Sequence, residues 1–433
     1  MIKLTPARRI KGRLTLPGDK SISHRAALIA ALASGATEIS NFSSAADCAS
    51  TVACLQQLGA RVETVDGKLR FTGNQQLTAP DAPLDCGNSG STMRILAGVL
   101  AGQDFSAELI GDESLSARPM RRIIEPLELM GATIESTEGN STGGKPPLRI
   151  HGSNKLVPIT YQLPVASAQV KSAILFAGLF ARGRTTVIEK LPSRDHTERL
   201  FNGFGVPVTT NSDLSITIEG PARFNGGSIA IPGDISSAAY FVAAAMLLPH
   251  SDLTIESIGL NPTRAAFLSV LQAWGAEIST SDLHDERNEP IGTIHVRGGL
   301  HSTPKYQILS GSLIPSLIDE LPLLAVVGTQ IPGGIQIRDA EELRLKESDR
   351  LQATAQNLRA MGAEVDEFDD GMAVTGPTQL RGAKIDSYGD HRIAMAFSVA
   401  ALIADGETEI NGSECVAISF PEFYKLLDSL TEK

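Results

Sequence analysis

Aromatic side chains make up only 5% of the 433 residues, with a single Trp. Large rings therefore cannot dominate the packing. The abundance of Ala, Gly, Leu and Ile instead suits small helices lying close against sheets. Cysteine is also scarce. Cys48, Cys54, Cys86 and Cys415 match neither a zinc spacing nor a disulfide framework, which points to a reducing cytoplasm. No apolar run is long enough to span a bilayer, and the opening MIKLTPARRIKGRLTLPG has no signal-peptide core. Membrane attachment and export are thus not expected. Net positive charge is absent too: the formal charge is −11. A broad nucleic-acid surface needs a basic face, so no nucleic-acid partner is expected. Any anionic ligand must be held by local clusters of Lys and Arg.

What the chain does have is internal repetition. A hydrophobic content of 42% against 20% charged residues is that of a globular protein, long enough for two domains. A short strand, a polar loop and a small-residue helix recur six times, starting at Leu14, Pro83, Tyr161, Ser228, Tyr306 and Lys384. Another strand follows each helix. Then comes a helix ending in glycine, at Gly59, Gly131, Gly205, Gly275 and Gly362, where a C-cap needs positive φ. A two-strand ribbon of alternating apolar and polar residues closes the motif.

The repeating motif is β-α-β-α-β-β, and the expected fold class is α/β. The sixth copy ends in FPEFYKLLDSL without its last strand pair, and the N-terminal segment LTPARRIKGRLTLPG resembles that pair. Two domains of three repeats are expected, residues 1–18 with 234–433, and residues 19–233. Hinges are expected near Pro17-Gly18 and Pro232-Gly233. Three helix starts per domain would face a common cleft and receive anions.

The strand-to-helix loops carry specific groups. Gly18-Asp19-Lys20-Ser21-Ile22-Ser23-His24-Arg25 places Lys, Arg and two hydroxyls at one helix start, without the Walker A pattern. It fits either a phosphate site or an ordinary capped helix. Gly87–Arg94 is a small-residue loop, Ala117–Arg122 a basic cluster, and Ser167–Ser172 supplies hydroxyl and amide groups. His196 and His391 each adjoin an acid, but the spacing matches no metal site. With His24 they read as hydrogen-bonded structural residues. Asp319-Glu320 reads as acidic residues inside an apolar helix, SLIDELPLLAVV. In EELRLKESDR a helical reading puts Lys346 and Arg350, and Arg344 and Ser348, on shared faces. That run equally fits a surface salt-bridge ladder. Co-occurrence in equivalent loops favours a doubly anionic ligand set.

PGDKSISHR, GNSGSTMR, ARPM, ASAQVKSA, RDHTE, IDELP, LRLKESDRL and GDHRIAMA occur in one order that resembles the 5-enolpyruvylshikimate-3-phosphate synthase family of enolpyruvyl transferases, almost end to end. The resemblance implies a two-domain inside-out α/β barrel, three repeats per domain. It implies phosphoenolpyruvate and 3-phosphoshikimate as substrates, and no metal or organic cofactor. A monomer is expected. Carried over by position, 3-phosphoshikimate falls to Lys20, Ser21, Arg25, Ser167, Ala168, Gln169, Arg194, Asp319 and Lys346. Phosphoenolpyruvate falls to Lys20, Gly90, Arg118, Arg350 and Arg392. Asp319, Glu347 and Lys20 are the implied catalytic residues, with Glu347 and Lys20 both open as the group that protonates C3.

Two positions bear on the family pattern. Ile418 stands where some relatives have a lysine. Gly90 stands where glyphosate-insensitive relatives can have alanine, so inhibition by glyphosate is expected. Two rival readings share the scaffold. A transferase acting on UDP-N-acetylglucosamine normally has a reactive cysteine before Ala-Arg-Pro, yet DESLSARPM has none, and Ser21 stands where that family has Asn. An RNA-terminal phosphate cyclase-like protein is opposed by the acidic charge.

Overall fold

The computed structural model describes every residue except 75, 138–142, 301–303, 305 and 306. Tyr306, the expected start of the fifth copy, lies outside the described residues, as does part of the second ribbon. Two compact units emerge: unit 1 is Met1–Pro17, Pro232–His284 and Pro290–Lys433, and unit 2 is Gly18–Ile231 with Asp285–Glu289. The expected boundaries put residues 285–289 with the rest of 234–433. They group with unit 2 because Arg287 donates to Gly203 O (2.6 Å) and Ser228 O (2.9 Å), while Glu289 bonds His196 at 2.7 Å.

Each unit is built inside out. In unit 2 the central helices are Lys20–Leu32, Gly90–Ala101 and Ala168–Gly178; in unit 1 they are Ile235–Leu247, Leu321–Gly328 and His391–Ile403. Every residue from Ile22 to Leu32 is buried. A helix apolar on all sides must lie in a core. Small residues let these helices approach: a Cβ on Gly98 would fall 2.1 Å from Ala173 O on the next helix. Five of the six begin at a side-chain cap, Asp19, Ser89, Ser167, Asp234 or Asp390, each accepting a backbone N–H of the first turn. Only Leu321–Gly328 lacks such a bond.

The sheets repeat one order. In unit 2, Leu84–Asp85, Ser106–Ile110, Leu148–His151 and Thr133–Ser136 lie side by side, as do Thr160–Gln162, Gly183–Ile188, Ser215–Gly220 and Val208–Thr210. The first pair in each is parallel and the others antiparallel. A parallel pair needs a crossover, which the central helix supplies. The glycines ending the second helices have φ of 89° at Gly59, 106° at Gly131, 82° at Gly205, 100° at Gly275 and 90° at Gly362, as a left-handed cap requires.

Two strands are exchanged between repeats. Arg9–Thr15 precedes helix Lys20–Leu32, yet it pairs in parallel with Asp252–Gly259 in unit 1. Ser228–Ala230 precedes helix Ile235–Leu247, yet it pairs in parallel with Ser34–Ser40 in unit 2. The expectation that the N-terminal strand pair completes the sixth repeat therefore needs correction. Only Ile2–Leu4 does so, antiparallel to Thr408–Asn411. Arg9–Thr15 serves the fourth repeat because its inward residues Ile10 and Leu14 belong to the core there, and Leu14 stands opposite Ile255. Gly18 and Gly233 are needed for close packing rather than positive φ. A Cβ on Gly18 would fall 1.8 Å from Asn41 O, and one on Gly233 would fall 2.7 Å from Ile258.

Among the described residues no single helix is long and apolar enough to cross a membrane. The segments Gly311–Leu317 and Leu321–Gly328 are bent by 109° at their junction. This corrects the reading of Asp319-Glu320 as helix interior: both lie in the turn between two helices. Pro322 explains the break. It lacks an N–H, and its ring would clash with the carbonyl four residues back in a continuous helix.

Candidate active site

In unit 2 the starts of the central helices are laced together by side chains. Lys20 opens its helix, and its ammonium meets Asp47 Oδ2 at 2.9 Å. Arg25 is buried: Nε donates to Thr197 Oγ1 (2.7 Å), Nη2 to Ser172 Oγ (2.8 Å) and Nη1 to Ser21 O (2.9 Å). Desolvation pulls its pKa down to about 10, with the nearby Arg194 charge adding and the carboxylates Glu198, Asp19 and Glu289 opposing. Arg94 donates to Gln169 Oε1 at 2.6 Å, and Gln169 Nε2 to Ser91 Oγ at 2.9 Å. Of the arginines in the basic cluster, Arg118 turns inward and bonds Asn88 Oδ1 (3.1 Å) and Ser114 Oγ (3.2 Å). Arg121 stays exposed. Ser167 caps its helix through Val170 N, and Ala168 O accepts from Ser172 Oγ. Thus Lys20, Ser21, Arg25, Gly90, Arg118, Ser167, Ala168, Gln169 and Arg194 all belong to unit 2, at helix starts or the loops beside them.

His24 begins a chain of buried hydrogen bonds at this end. Its Nδ1 meets Thr51 Oγ1 at 2.6 Å, and Thr51 meets Thr92 at 2.7 Å. Desolvation pushes the imidazole from its ordinary 6.5 down to about 3, with Lys20 and Arg25 adding and Asp47 opposing. The folded pKa is the lower one, so the unfolded chain takes the proton first as pH falls. His24 therefore costs stability progressively from the ordinary value down towards the folded one. We expect His24→Gln to flatten the fall of Tm with acidification in that window. Identical slopes in calorimetric scans of both proteins would contradict it.

In unit 1 the cluster is made of guanidinium and carboxylate groups. Arg350, only 1% exposed, reaches Asp390 Oδ2 at 2.7 Å and Asp319 Oδ1 at 3.3 Å, and also donates to Glu347. These carboxylates push its pKa up despite desolvation, so it stays charged. Arg392 meets Asp319 Oδ2 at 3.4 Å, Asp319 O at 3.1 Å and Glu320 at 3.6 Å. The helix break frees the Asp319 carbonyl for that bond. Desolvation holds Lys346 below the usual lysine range, with the Arg350 charge adding and Asp319 and Glu347 opposing.

The helical reading of residues 344–350 is corrected. Glu341–Leu345 is 3-10, Lys346 is extended, and the α-helix begins at Arg350 because Asp349 caps it through Gln352 N. Lys346 and Arg350 share no helix face. Arg344 instead bridges Asp349 (2.7 Å) and Glu367 (3.1 Å), as a salt-bridge ladder would. Ile418 is half-buried against the unit 1 core.

Several contributors escaped the sequence reading. Asp47 lies 27 residues from Lys20, and its pairing is purely tertiary. Arg94 and Lys171 stand inside GNSGSTMR and ASAQVKSA but received no role. Their placement in polar helix starts was the available signal.

Helix starts that set lysine and arginine against carboxylates and amides suit a protein that binds small anionic molecules. The comparisons narrow the class. Residues 4–427 match the family model described as EPSP synthase (3-phosphoshikimate 1-carboxyvinyltransferase). The 3-phosphoshikimate 1-carboxyvinyltransferase of Koribacter versatilis is 51% identical over 100% of this chain and 99% of its own. That of Akkermansia muciniphila is 50% identical over 96% of each. A solved EPSP synthase from Acinetobacter baumannii superimposes with a TM-score of 0.87 at 39% identity, covering 99% of this chain and 98% of that one. The chain belongs to the EPSP synthase family.

Gly90 carries a direct prediction. A Cβ there would lie 2.8 Å from Arg94 Nη1 and 3.4 Å from Arg118 Nη1. The first distance forces a shift of a guanidinium already bound to Gln169. We expect glyphosate to compete with phosphoenolpyruvate, and Gly90→Ala to raise its inhibition constant about tenfold, because the added methyl displaces the flexible end of Arg94 and disturbs its bond to Gln169. Equal inhibition of both proteins in a rate assay would refute this.

Proposed function

We propose that this chain transfers the enolpyruvyl group of phosphoenolpyruvate to the 5-hydroxyl of 3-phosphoshikimate, with Asp319, Glu347 and Lys20 as catalytic residues. The observation that carries the assignment is Asp319: a carboxylate in a turn between helices, 14% exposed, flanked by Arg350 and Arg392. An anionic donor competes with it for both guanidiniums. Released from them, the carboxylate is a stronger base and takes the proton of the attacking hydroxyl.

The hydroxyl oxygen bonds to C2 of phosphoenolpyruvate, and C3 gains a proton from Glu347 or Lys20. The product of this addition is a tetrahedral ketal. Loss of a C3 proton then re-forms the double bond as the C2–O bond to phosphate breaks. Arg118, Arg350 and Arg392 orient the donor and stabilise its charge, with Gly90 beside Arg118. Ser21, Arg25, Ser167, Ala168, Gln169, Arg194 and Lys346 hold the acceptor. The four cysteines, free and buried, suit work in the cytoplasm; we assign the chain there, as a monomer.

Purified protein should release inorganic phosphate only when both substrates are present, unchanged by a chelator. Absence of release with both substrates overturns the reading.

A further inference from the structure

Lys171 is a lysine buried to 1% exposure on the helix whose first turn bears Ala168 and Gln169. A lysine has three N–H donors, and a buried one must place all of them. Here Nζ meets Glu198 Oε1 at 2.7 Å, Glu189 Oε2 at 2.9 Å and Ser193 O at 3.4 Å. Glu189 follows strand Gly183–Ile188, and Glu198 lies in helix His196–Gly203. One ammonium therefore grips a connecting segment at both ends and in the middle. Glu189 tightens it further: its carboxylate accepts from the hydroxyl of Ser193 and from Ser193 N. The next residue is Arg194.

The charges explain the arrangement. One ammonium facing two buried carboxylates leaves an excess negative charge. Desolvation offsets part of that excess by raising the Glu198 carboxyl above its ordinary range against the pull of Lys171, and Glu198 also acts on the buried guanidinium of Arg25. Both carboxylates thus serve cationic groups at the same end of unit 2.

We propose that Lys171 is a positioning residue that fixes the Ser193–Arg194 segment and so aims Arg194 at the phosphate of 3-phosphoshikimate. The proposal rests on the reading of Arg194 as a contact to that substrate. Lys171 touches no substrate itself. Its loss lets the segment relax and spread Arg194 over several orientations, which weakens acceptor binding while the donor side is undisturbed.

The test is steady-state kinetics and calorimetric binding of 3-phosphoshikimate, with full-length wild type, Lys171→Met, Arg194→Ala and the double variant. Lys171→Met should raise KM and Kd for 3-phosphoshikimate about tenfold, change KM for phosphoenolpyruvate less than about twofold, and lower kcat less than about threefold. The double variant should be no weaker than Arg194→Ala alone, because both changes remove one interaction. An unchanged 3-phosphoshikimate KM, or effects that add in full, overturns the proposal. Should Lys171→Met fail to fold, Glu189→Gln decides by the same measurements. Wild type that binds 3-phosphoshikimate but releases no phosphate would sink the proposed reaction. The calorimetric cycle would still test the positioning role. Wild type that does not bind 3-phosphoshikimate removes both.

Discussion

Lys20→Met should lower kcat/KM by about a thousandfold, on the scale seen when a charge aimed at the transition state is removed. The ammonium sits on the first turn of a helix capped by Asp19, and it is 20% exposed beside an Asp47 carboxylate that is 12% exposed. Methionine keeps the length of the side chain and removes the charge. Two consequences follow. The substrates lose a cation that would face both of them, and Asp47 loses one cationic contact and repels incoming phosphate. These can be separated. Lys20→Met with Asp47→Asn should recover much of the KM but little of the kcat, since the repulsion is gone and the acid and charge are not restored. Turnover of Lys20→Met near the wild-type rate would dismiss Lys20 as a catalytic residue.

The repeat architecture was legible because its punctuation is chemical. Gly59, Gly131, Gly205, Gly275 and Gly362 occupy positions that L-residues with a Cβ avoid, and Asp or Ser stands before most of the central helices. Both signals act within a few residues. The two helix misreadings share one cause. Periodicity alone joined Ile318 to Leu321 and Lys346 to Arg350 as helix, although Pro322 and the Asp349 cap each interrupt the pattern. Local breakers outrank a helical wheel. The strand exchange was half legible. Ile2–Leu4 follows from the incomplete sixth repeat. The place of Arg9–Thr15 depends on a pairing with Asp252–Gly259, over 240 residues away, which no local pattern encodes. In the site, the resemblance supplied the roles. What it did not supply was the set of carboxylates and hydroxyls that hold the cations: Asp47 on Lys20, Thr197 and Ser172 on Arg25, Asp390 on Arg350. Such partners are selected by packing, so sequence distance says little about them.

Asp319→Asn should separate chemistry from binding in the opposite sense to an ordinary site mutation. The amide preserves shape but keeps one acceptor oxygen where the carboxylate offers one to Arg350 and the other to Arg392, and it no longer competes for them as a charge. Donor affinity should therefore hold or improve, so KM for phosphoenolpyruvate stays level or falls. The hydroxyl of 3-phosphoshikimate loses its base, and kcat should drop about 10²–10⁴-fold, the usual worth of general base catalysis. Glu347→Gln gives the complementary pattern. Its carboxylate lies on Arg350, three residues on in sequence, and its assigned work is proton exchange at C3. In deuterated water that variant should incorporate label into phosphoenolpyruvate C3 more slowly than wild type. Asp319→Asn should suppress label as well, since no ketal forms without the attack. A kcat for Asp319→Asn within about fivefold of wild type, far short of a lost general base, would remove the base from the mechanism. A higher phosphoenolpyruvate KM would show instead that the Asp319 charge supports the two arginines rather than competing with the donor for them.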